Sequence, residues 1–563
     1  MNYRSTVSYC LVTAAIVFNL LLVLFLVSSF STTEYSISPP NIPDSTYLSP
    51  NTIDSWFNSD ALTQYHFFTG IERGDSLKDW KISTVSHYFP TIALFGTGYY
   101  LFHNPGISML FYVAMQLLII LLLFSWLVKQ LVQEYVTEAR LIGLLFVSLF
   151  ILYALFVPDV DMTSNFLLPY HTGMFLNMLL ASVFLMKYLK KQQWLYLLLM
   201  SVTVSLATLS NPLFHVYFTA PALVVVGACA LNDKKRYLPA LIAIVLSVVA
   251  GLILKKIFPQ LAIQLALHPT HYDSFAMLAD SVRYAFNSSL LVASIFILFF
   301  VSYMYSVVRS IQTIRHIAKA SVSDLTNYEL YHLFYVVLVM SSLLGPIVAG
   351  NYVGIWCIRY IIYSFILGLF NVGIILAYHC TLKTAIYFKS FAYIMLLSSV
   401  AFAGMRALHQ NPFGAFNRLT TYSCSDAQAV DSLSMRFHLK NGVSVFWHAK
   451  TISVFSKQKV KVVFAIDNLK IWKHSFHIPD FKQDSVGKPA YYNFIVLRGR
   501  SDTTSLRKIF GDSIVRVNQN GYSFYLVPEF TYNDNYDFQL TGKFDFSEEL
   551  RKQKLQDSVN QLK

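Results

Sequence analysis

Charged residues are scarce in this 563-residue chain: Asp, Glu, Lys and Arg make up 13% of it, against 55% hydrophobic residues. A soluble domain carries about twice that charge. With a mean hydropathy of +0.49, the composition excludes an ordinary soluble globule and reads as a polytopic membrane protein. Cysteine is rare as well. Cys10, Cys229, Cys357, Cys380 and Cys424 are scattered without a CxxC pair, so no zinc or redox motif is supported. There is no Gly-rich phosphate loop, hence no expected nucleotide site. The histidines of HPTH (His268, His271) lack the i, i+4 spacing of a helical metal pair, so no metal is assigned. Internal repeats and low-complexity linkers are missing too. The apolar runs carry almost no charge at their centres, which disfavours a transporter built from paired halves.

What is present is hydrocarbon in lengths of about one bilayer. Runs fall near 8–30, 105–128, 139–157, 169–186, 193–210, 212–231, 237–254, 286–308, 330–350, 359–379 and 386–405. They predict about eleven spans. The first has Arg4 before it and no convincing small-x-small cleavage site, so it is expected to be a retained anchor. A shorter run after Pro90, TIALFGTGYYLFH, is either a twelfth span or a helix in the interface. Basic clusters at Lys187–Lys191, Lys234–Arg236, Arg309–Lys319 and Lys383–Lys389 alternate without violation if all four are cytoplasmic. The expected topology is N-terminus in, C-terminus out, in a plasma (inner) membrane.

That topology places the unusual residues outside: a first loop at 31–104, then PDVDMTSNFLLPYHTG, SNPLFH, HPTHYD and GNYVGIWCIRY. The tail is different material. Residues 406–563 hold 22 Lys and Arg against 14 Asp and Glu, eight of the chain's thirteen net positive charges. VSVFW, VKVVFAI and YNFIVL read as strands. Asn520–Gly521 between alternating segments reads as a type I′ hairpin, and SLRKIFG as a short helix closed by Gly511. The last residues, FSEELRKQKLQDSVNQLK, read as a loose helix. The expectation is an α-helical polytopic membrane domain, 1–405, and an extracytoplasmic α+β domain, 406–563.

The candidate chemistry lies mostly in the first loop. Asp60 follows Ser59 at the head of an apolar-periodic stretch, a place that suits a helix cap and equally a general base on a rigid mount. Asp79 and Trp80 form a carboxylate–aromatic pair. A sugar's C–H face would stack there, although an interfacial Trp also serves as a membrane anchor. His171, just after the Pro169 loop, either orients an anion or caps a helix. Arg359, with Tyr360, stands where an outer loop enters an apolar span. It either snorkels to headgroups or holds a lipid phosphate by its fork. Arg283 is a further, less defined cation, and Asp161 a further carboxylate.

Several of these short elements resemble those of the GT-C superfamily of membrane glycosyltransferases. They are Ser59-Asp60, Trp80, Tyr88-Phe89-Pro90, His171-Thr172-Gly173 and Ser210-Asn211-Pro212, with FWHAKTISVFS and YYNFIVLRG in the tail. The resemblance implies a GT-C-like fold and inverting transfer of a sugar from a polyprenyl-phosphate carrier. The acceptor would be an envelope glycan, lipid or protein on the outer face. Asp60 would be the base, and Asp79, Trp80, His171, Arg359 and Tyr360 would bind the donor or substrate. It implies no nucleic acid partner and leaves a divalent cation possible. Two positions depart from the pattern, Thr91 and Asn211 standing where the family has Asp. The alternative reading is therefore a catalytically inactive relative that binds glycan or a partner, with a lipid-linked substrate transporter behind it.

Overall fold

The computed structural model describes residues 3–28, 57, 59–81, 88–132, most of 136–148, 172–257, 273–319 apart from 289, 325–349 and 360–379. It also describes isolated positions from 386 to 401 and most of 417–541. In chain order the helices are α1 (Tyr3–Ser28), α2 (Ser59–Glu72), α3 (Ala93–Phe102), α4 (Pro105–Leu131), α5 (Thr172–Lys191), α6 (Trp194–Ser210), α7 (Ala220–Ala230), α8 (Lys234–Ile257), α9 (Asp273–Ser288), α10 (Leu290–Ala318), α11 (Asn327–Val348) and α12 (Ile362–Tyr378). After them come α13 (Ser425–Phe437), α14 (Phe446–Phe455), α15 (Pro479–Lys482) and α16 (Thr503–Phe510). The strands are β1 (Trp80–Lys81), β2 (Asn441–Ser444), β3 (Lys461–Phe464), β4 (Phe476–His477), β5 (Tyr492–Leu497), β6 (Val515–Gln519), β7 (Tyr522–Tyr532) and β8 (Phe538–Leu540).

The chain forms two compact units, one of Met1–Ser31 with Val85–Leu419, the other of Thr32–Thr84 with Thr420–Lys563. This grouping differs from a boundary at 405/406, because most of the 31–104 loop clusters with the C-terminal residues. The reason is apolar: Phe57, Ala61, Leu62, Phe67 and Phe68 are buried, and Phe57 stacks on Tyr422 with ring centres 4.2 Å apart.

Among the described residues, five helices are long and apolar enough to cross a membrane: α4, α5, α8, the Phe296–Ala318 part of α10, and α11. Helices α1, α6, α7 and α12 also fall on expected spans, while 139–157 is only partly described and 386–405 mostly not. The short run after Pro90 becomes α3, whose ten residues cover about 15 Å at 1.5 Å each. That is half the hydrocarbon thickness, so α3 alone is no twelfth span. Local signals set the helix ends. Asn104 Oδ1 accepts from the Gly106 and Ile107 amides at 3.0 Å, with Pro105 in the first turn of α4. Thr326 and Glu329 form a capping box at the start of α11. Helix α8 exposes Leu238, Ile242, Val245, Leu246, Val249, Leu252 and Ile253, a lipid-compatible face. One pair of buried polar groups in this unit illustrates local satisfaction: Asn19 of α1 donates to Ala15 O and accepts from Ser148 Oγ at 3.1 Å.

The second unit is α+β. Its main sheet runs β3-β2-β5-β7-β6, with β8 on β7. Strand β2 is parallel to β3 and β5, and α14 makes the β2–β3 crossover. The remaining pairs are antiparallel. Gln519 pairs with Tyr522 across Asn520–Gly521, so the hairpin forms where expected, although its two turn residues lie outside the described ones. Helix α16 ends at Gly511 with φ +62°, the left-handed stop that glycine permits. VSVFW is corrected in part: β2 ends at Ser444 and Phe446 opens α14. The helix wins because Ala449 and Ile452, at helical spacing, are fully buried. The final FSEELRKQKLQDSVNQLK lies outside the described residues.

Candidate functional site

Three of the sequence elements singled out above meet in the helical unit. Tyr88–Ile92 form a single wide turn in which Phe89 is extended, φ −115° and ψ 130°, ahead of a cis Phe89–Pro90 bond. An extended residue among helices leaves its amide and carbonyl without helical partners, which in a membrane unit must be supplied by side chains. Both are. The Phe89 amide donates to Ser210 Oγ at 2.9 Å, and Asn177 Nδ2 donates to the Phe89 carbonyl at 2.9 Å. Gly173, also on α5, is what lets the turn approach. A Cβ there would stand 2.5 Å from Thr91 Oγ1 and 3.3 Å from Pro90 Cδ. The Phe-Pro, Thr-Gly and Ser-Asn-Pro elements, far apart in sequence, thus form one junction.

Thr91 and Asn211 are both inside it, 1% and 2% exposed. Asn211 Oδ1 accepts from the Leu213 amide at 3.0 Å, holding the bend between α6 and the turn His215–Thr219 that leads into α7. Beside the junction, Thr172 Oγ1 lies 3.0 Å from Tyr363 OH. The Tyr363 ring stacks on Phe175 at 5.3 Å and meets Tyr217 edge-on at 6.0 Å. Tyr217 OH donates to the Tyr360 carbonyl. These contacts connect Thr172 to Tyr360 through Tyr363 and Tyr217. His171 and Arg359 themselves lie outside the described residues, as does Asp161. Arg283 is on α9, exposed, 3.6 Å from Asp280.

The first-loop candidates belong to the other unit. Asp60 lies in the first turn of α2. Asp79 closes a tight turn, Leu77–Asp79, whose start is capped by Ser76 Oγ accepting from Lys78 N at 3.3 Å. Trp80 is 1% exposed. Its ring stacks on His477 at 4.9 Å and takes His66 and Phe67 against it edge-on. Gly70 makes room, since a Cβ there would lie 2.5 Å from the Trp80 ring and 2.6 Å from Asp75 Oδ2.

Around Trp80 is a buried ionic cluster that sequence reading missed. Asp480 of α15 receives Lys461 Nζ at 2.8 Å, His66 Nε2 at 3.3 Å and His477 Nδ1 at 3.4 Å. Asp75 Oδ2 is 3.6 Å from His477 Nδ1 and 2.9 Å from Arg73 Nη2. Burial works to raise the Asp480 pKa, but His477, His66 and Lys461 together hold it well below the ordinary carboxylate range. His66 goes the other way. Burial lowers its pKa, opposed by Asp480 and assisted by Lys450 and Arg73. Nearer the start of α2, Lys450 Nζ donates to Thr63 Oγ1 and Thr451 Oγ1 donates to the Phe57 carbonyl at 2.8 Å. The signal for His66 was available in sequence, a histidine inside the apolar run Tyr65–Phe68. Asp480 and His477 carry no local signature.

Among the described residues, no three His, Cys, Asp or Glu side chains converge to hold a metal ion. No family model matches the chain, and no curated protein does. Among solved structures, the chain is similar to the crystal structure of ArnT from Cupriavidus metallidurans bound to undecaprenyl phosphate. Identity is 11%, coverage 93% of this chain and 98% of that one, and the TM-score 0.49. The likeness carries no side chain and no ligand across to this protein.

Proposed function

We propose that this protein is a membrane glycosyltransferase of the GT-C type, moving a sugar from a polyprenyl-phosphate carrier to an acceptor on the outer face. One observation carries the reading. The turn Tyr88–Ile92, Gly173 and Ser210, which bear the sequence resemblance, form a single hydrogen-bonded junction in the membrane unit. Short motifs that matched by chance would have no reason to meet.

In this reading Asp60 takes the proton of the acceptor hydroxyl as its oxygen attacks the sugar's anomeric carbon. The bond to the carrier phosphate breaks, the configuration inverts, and the phosphate leaves with the electron pair. A base must lie within hydrogen-bond reach of that hydroxyl, and a rigid helix is a suitable mount. Arg359 receives the departing phosphate through its fork. His171 and Tyr360 bind the donor and Asp79 the substrate in this proposal, while Trp80, 1% exposed and packed by His477, His66 and Phe67, is not open to stack on a sugar as the sequence suggested. The outer-face topology, with the C-terminal residues extracytoplasmic, belongs to the same proposal.

A second reading, a binding relative without transferase activity, draws on Thr91 and Asn211. Neither side chain is a carboxylate, and both are buried. One experiment separates the two. The purified full chain is incubated in lipid with a panel of polyprenyl-phosphate sugars, and free polyprenyl phosphate is followed by mass spectrometry. Release with at least one donor, dependent on acceptor, supports the transferase. Binding of the donors without release supports the binding relative.

A further inference from the structure

Helices α10, α11 and α12 bring aromatic and basic side chains to one level. On α10, Tyr305 and Arg309 are one turn apart and share a face. Tyr328 stands at the start of α11, and Tyr378 and His379 at the end of α12. The rings of Tyr328 and Tyr378 stack with centres 3.7 Å apart. Tyr305 OH lies 3.2 Å from Tyr328 OH and 2.6 Å from His379 Nε2. Arg309 completes the group, its Cζ 5.8 Å from the Tyr328 ring centre and 6.0 Å from that of Tyr378.

The level is that of a membrane boundary. The stretch Leu290–Val308 of α10 has no charged residue. At 1.5 Å per residue it covers about 28 Å, close to the hydrocarbon thickness. Arg309 is the first charge after it, followed by Arg315, His316 and Lys319 with no acidic residue among them. A guanidinium does not shed its proton, and drawing one out of water is costly unless an anion faces it. Arg309 is half-buried. Among the described residues its partners are the two rings and Gln312, whose Oε1 accepts from Nη1 at 3.0 Å. None of these is an anion, and Nε is enclosed without a hydrogen-bond partner. A guanidinium that merely snorkelled would keep Nε in water. On the same stretch of α10, Met304, Val308 and Ile311 are exposed, as is Tyr378 of α12. A cation beside exposed hydrocarbon suits an anion that carries hydrocarbon of its own.

We propose that Arg309, flanked by Tyr378 and His379, forms a binding site for the phosphate of an anionic phospholipid. The guanidinium fork takes the phosphate oxygens, and the acyl chains lie along Met304 and Val308. Under the topology proposed above, this lipid belongs to the inner leaflet, opposite the face assigned to sugar transfer. The site itself does not rest on the transferase reading.

The test is native mass spectrometry of the purified full-length protein in detergent, titrated with phosphatidylglycerol or with phosphatidylcholine of the same chains. Phosphatidylglycerol should bind the more tightly. Arg309→Gln should weaken it about tenfold or more, the usual scale for losing a hydrogen bond to a charged group. Arg309→Lys keeps the charge without the fork and should fall between. Arg315→Gln, at an exposed position of the same helix, should stay near the native value. Where Arg309→Gln does not accumulate, Arg309→Lys and Tyr378→Leu carry the test, each expected to weaken phosphatidylglycerol several-fold. The proposal is overturned by equal binding of the two lipids, by unchanged phosphatidylglycerol binding in every accumulating Arg309 and Tyr378 variant, or by equal weakening in Arg315→Gln. Displacement of the lipid by millimolar inorganic phosphate would overturn it too, since the site would then take a free anion.

Discussion

The Phe89 amide donates to Ser210 Oγ at 2.9 Å, joining residues 121 positions apart. Ser210 in turn donates to Leu206 O at 2.7 Å, so one hydroxyl serves both the end of α6 and the extended residue of the Tyr88–Ile92 turn. Ser210→Ala removes the acceptor and strands a part-buried N–H. The expected cost is about 1–3 kcal/mol, read as a lowered melting temperature of the purified protein. A Ser210→Thr variant should retain most of the stability.

A Cβ added at Gly173 would stand 2.5 Å from Thr91 Oγ1, closer than real Cβ contacts come. Gly173→Ala should therefore displace the turn and destabilise the protein by about 1–3 kcal/mol, the usual cost of overpacking. Thr91→Ala in the same chain vacates the contacted oxygen and should recover part of the loss. Thermal unfolding of the two single variants and the double variant measures that coupling.

Acid should loosen the second unit in two stages. His66 has a folded pKa below its unfolded value of about 6.5, so the unfolded state binds more protons as pH falls below that value. Stability conferred by neutral His66 is then lost progressively until its lower folded pKa is passed. Asp480 has a folded pKa depressed well below the carboxylate range. Its contribution is complete above about pH 4 and is lost only in stronger acid. Unfolding followed from pH 7.5 to 5 should show falling stability, and His66→Gln should flatten that slope while leaving any loss below pH 4.

The sequence made the helical class legible because hydrocarbon length is a direct consequence of bilayer thickness, as α4, α8 and α11 show. The hairpin at Asn520–Gly521 was legible for a similar reason, its turn chemistry being local. The grouping of Thr32–Thr84 with the C-terminal residues was not, since nothing within α2 says that Phe57 will stack on Tyr422. Nor was the strand-to-helix change at Phe446, where alternation and helical spacing both fit until burial decides. At the candidate site, Pro90, Gly173 and Ser210 stood out only as members of the short motifs that carry the resemblance. Asn177, Lys450 and Asp480 act through partners 88, 387 and 414 positions away, and no local pattern marks them.

The most direct test is Asp60→Asn in the transfer assay. Asparagine keeps the size and remains acceptable in a first helical turn, but it cannot take a proton near neutral pH. Loss of a general base is typically worth about 10²–10⁴ in rate. The account predicts a protein that accumulates and melts like the native one, still binds the polyprenyl-phosphate sugar, and releases polyprenyl phosphate slower by that factor. Release at the native rate by a correctly folded Asp60→Asn protein would contradict it.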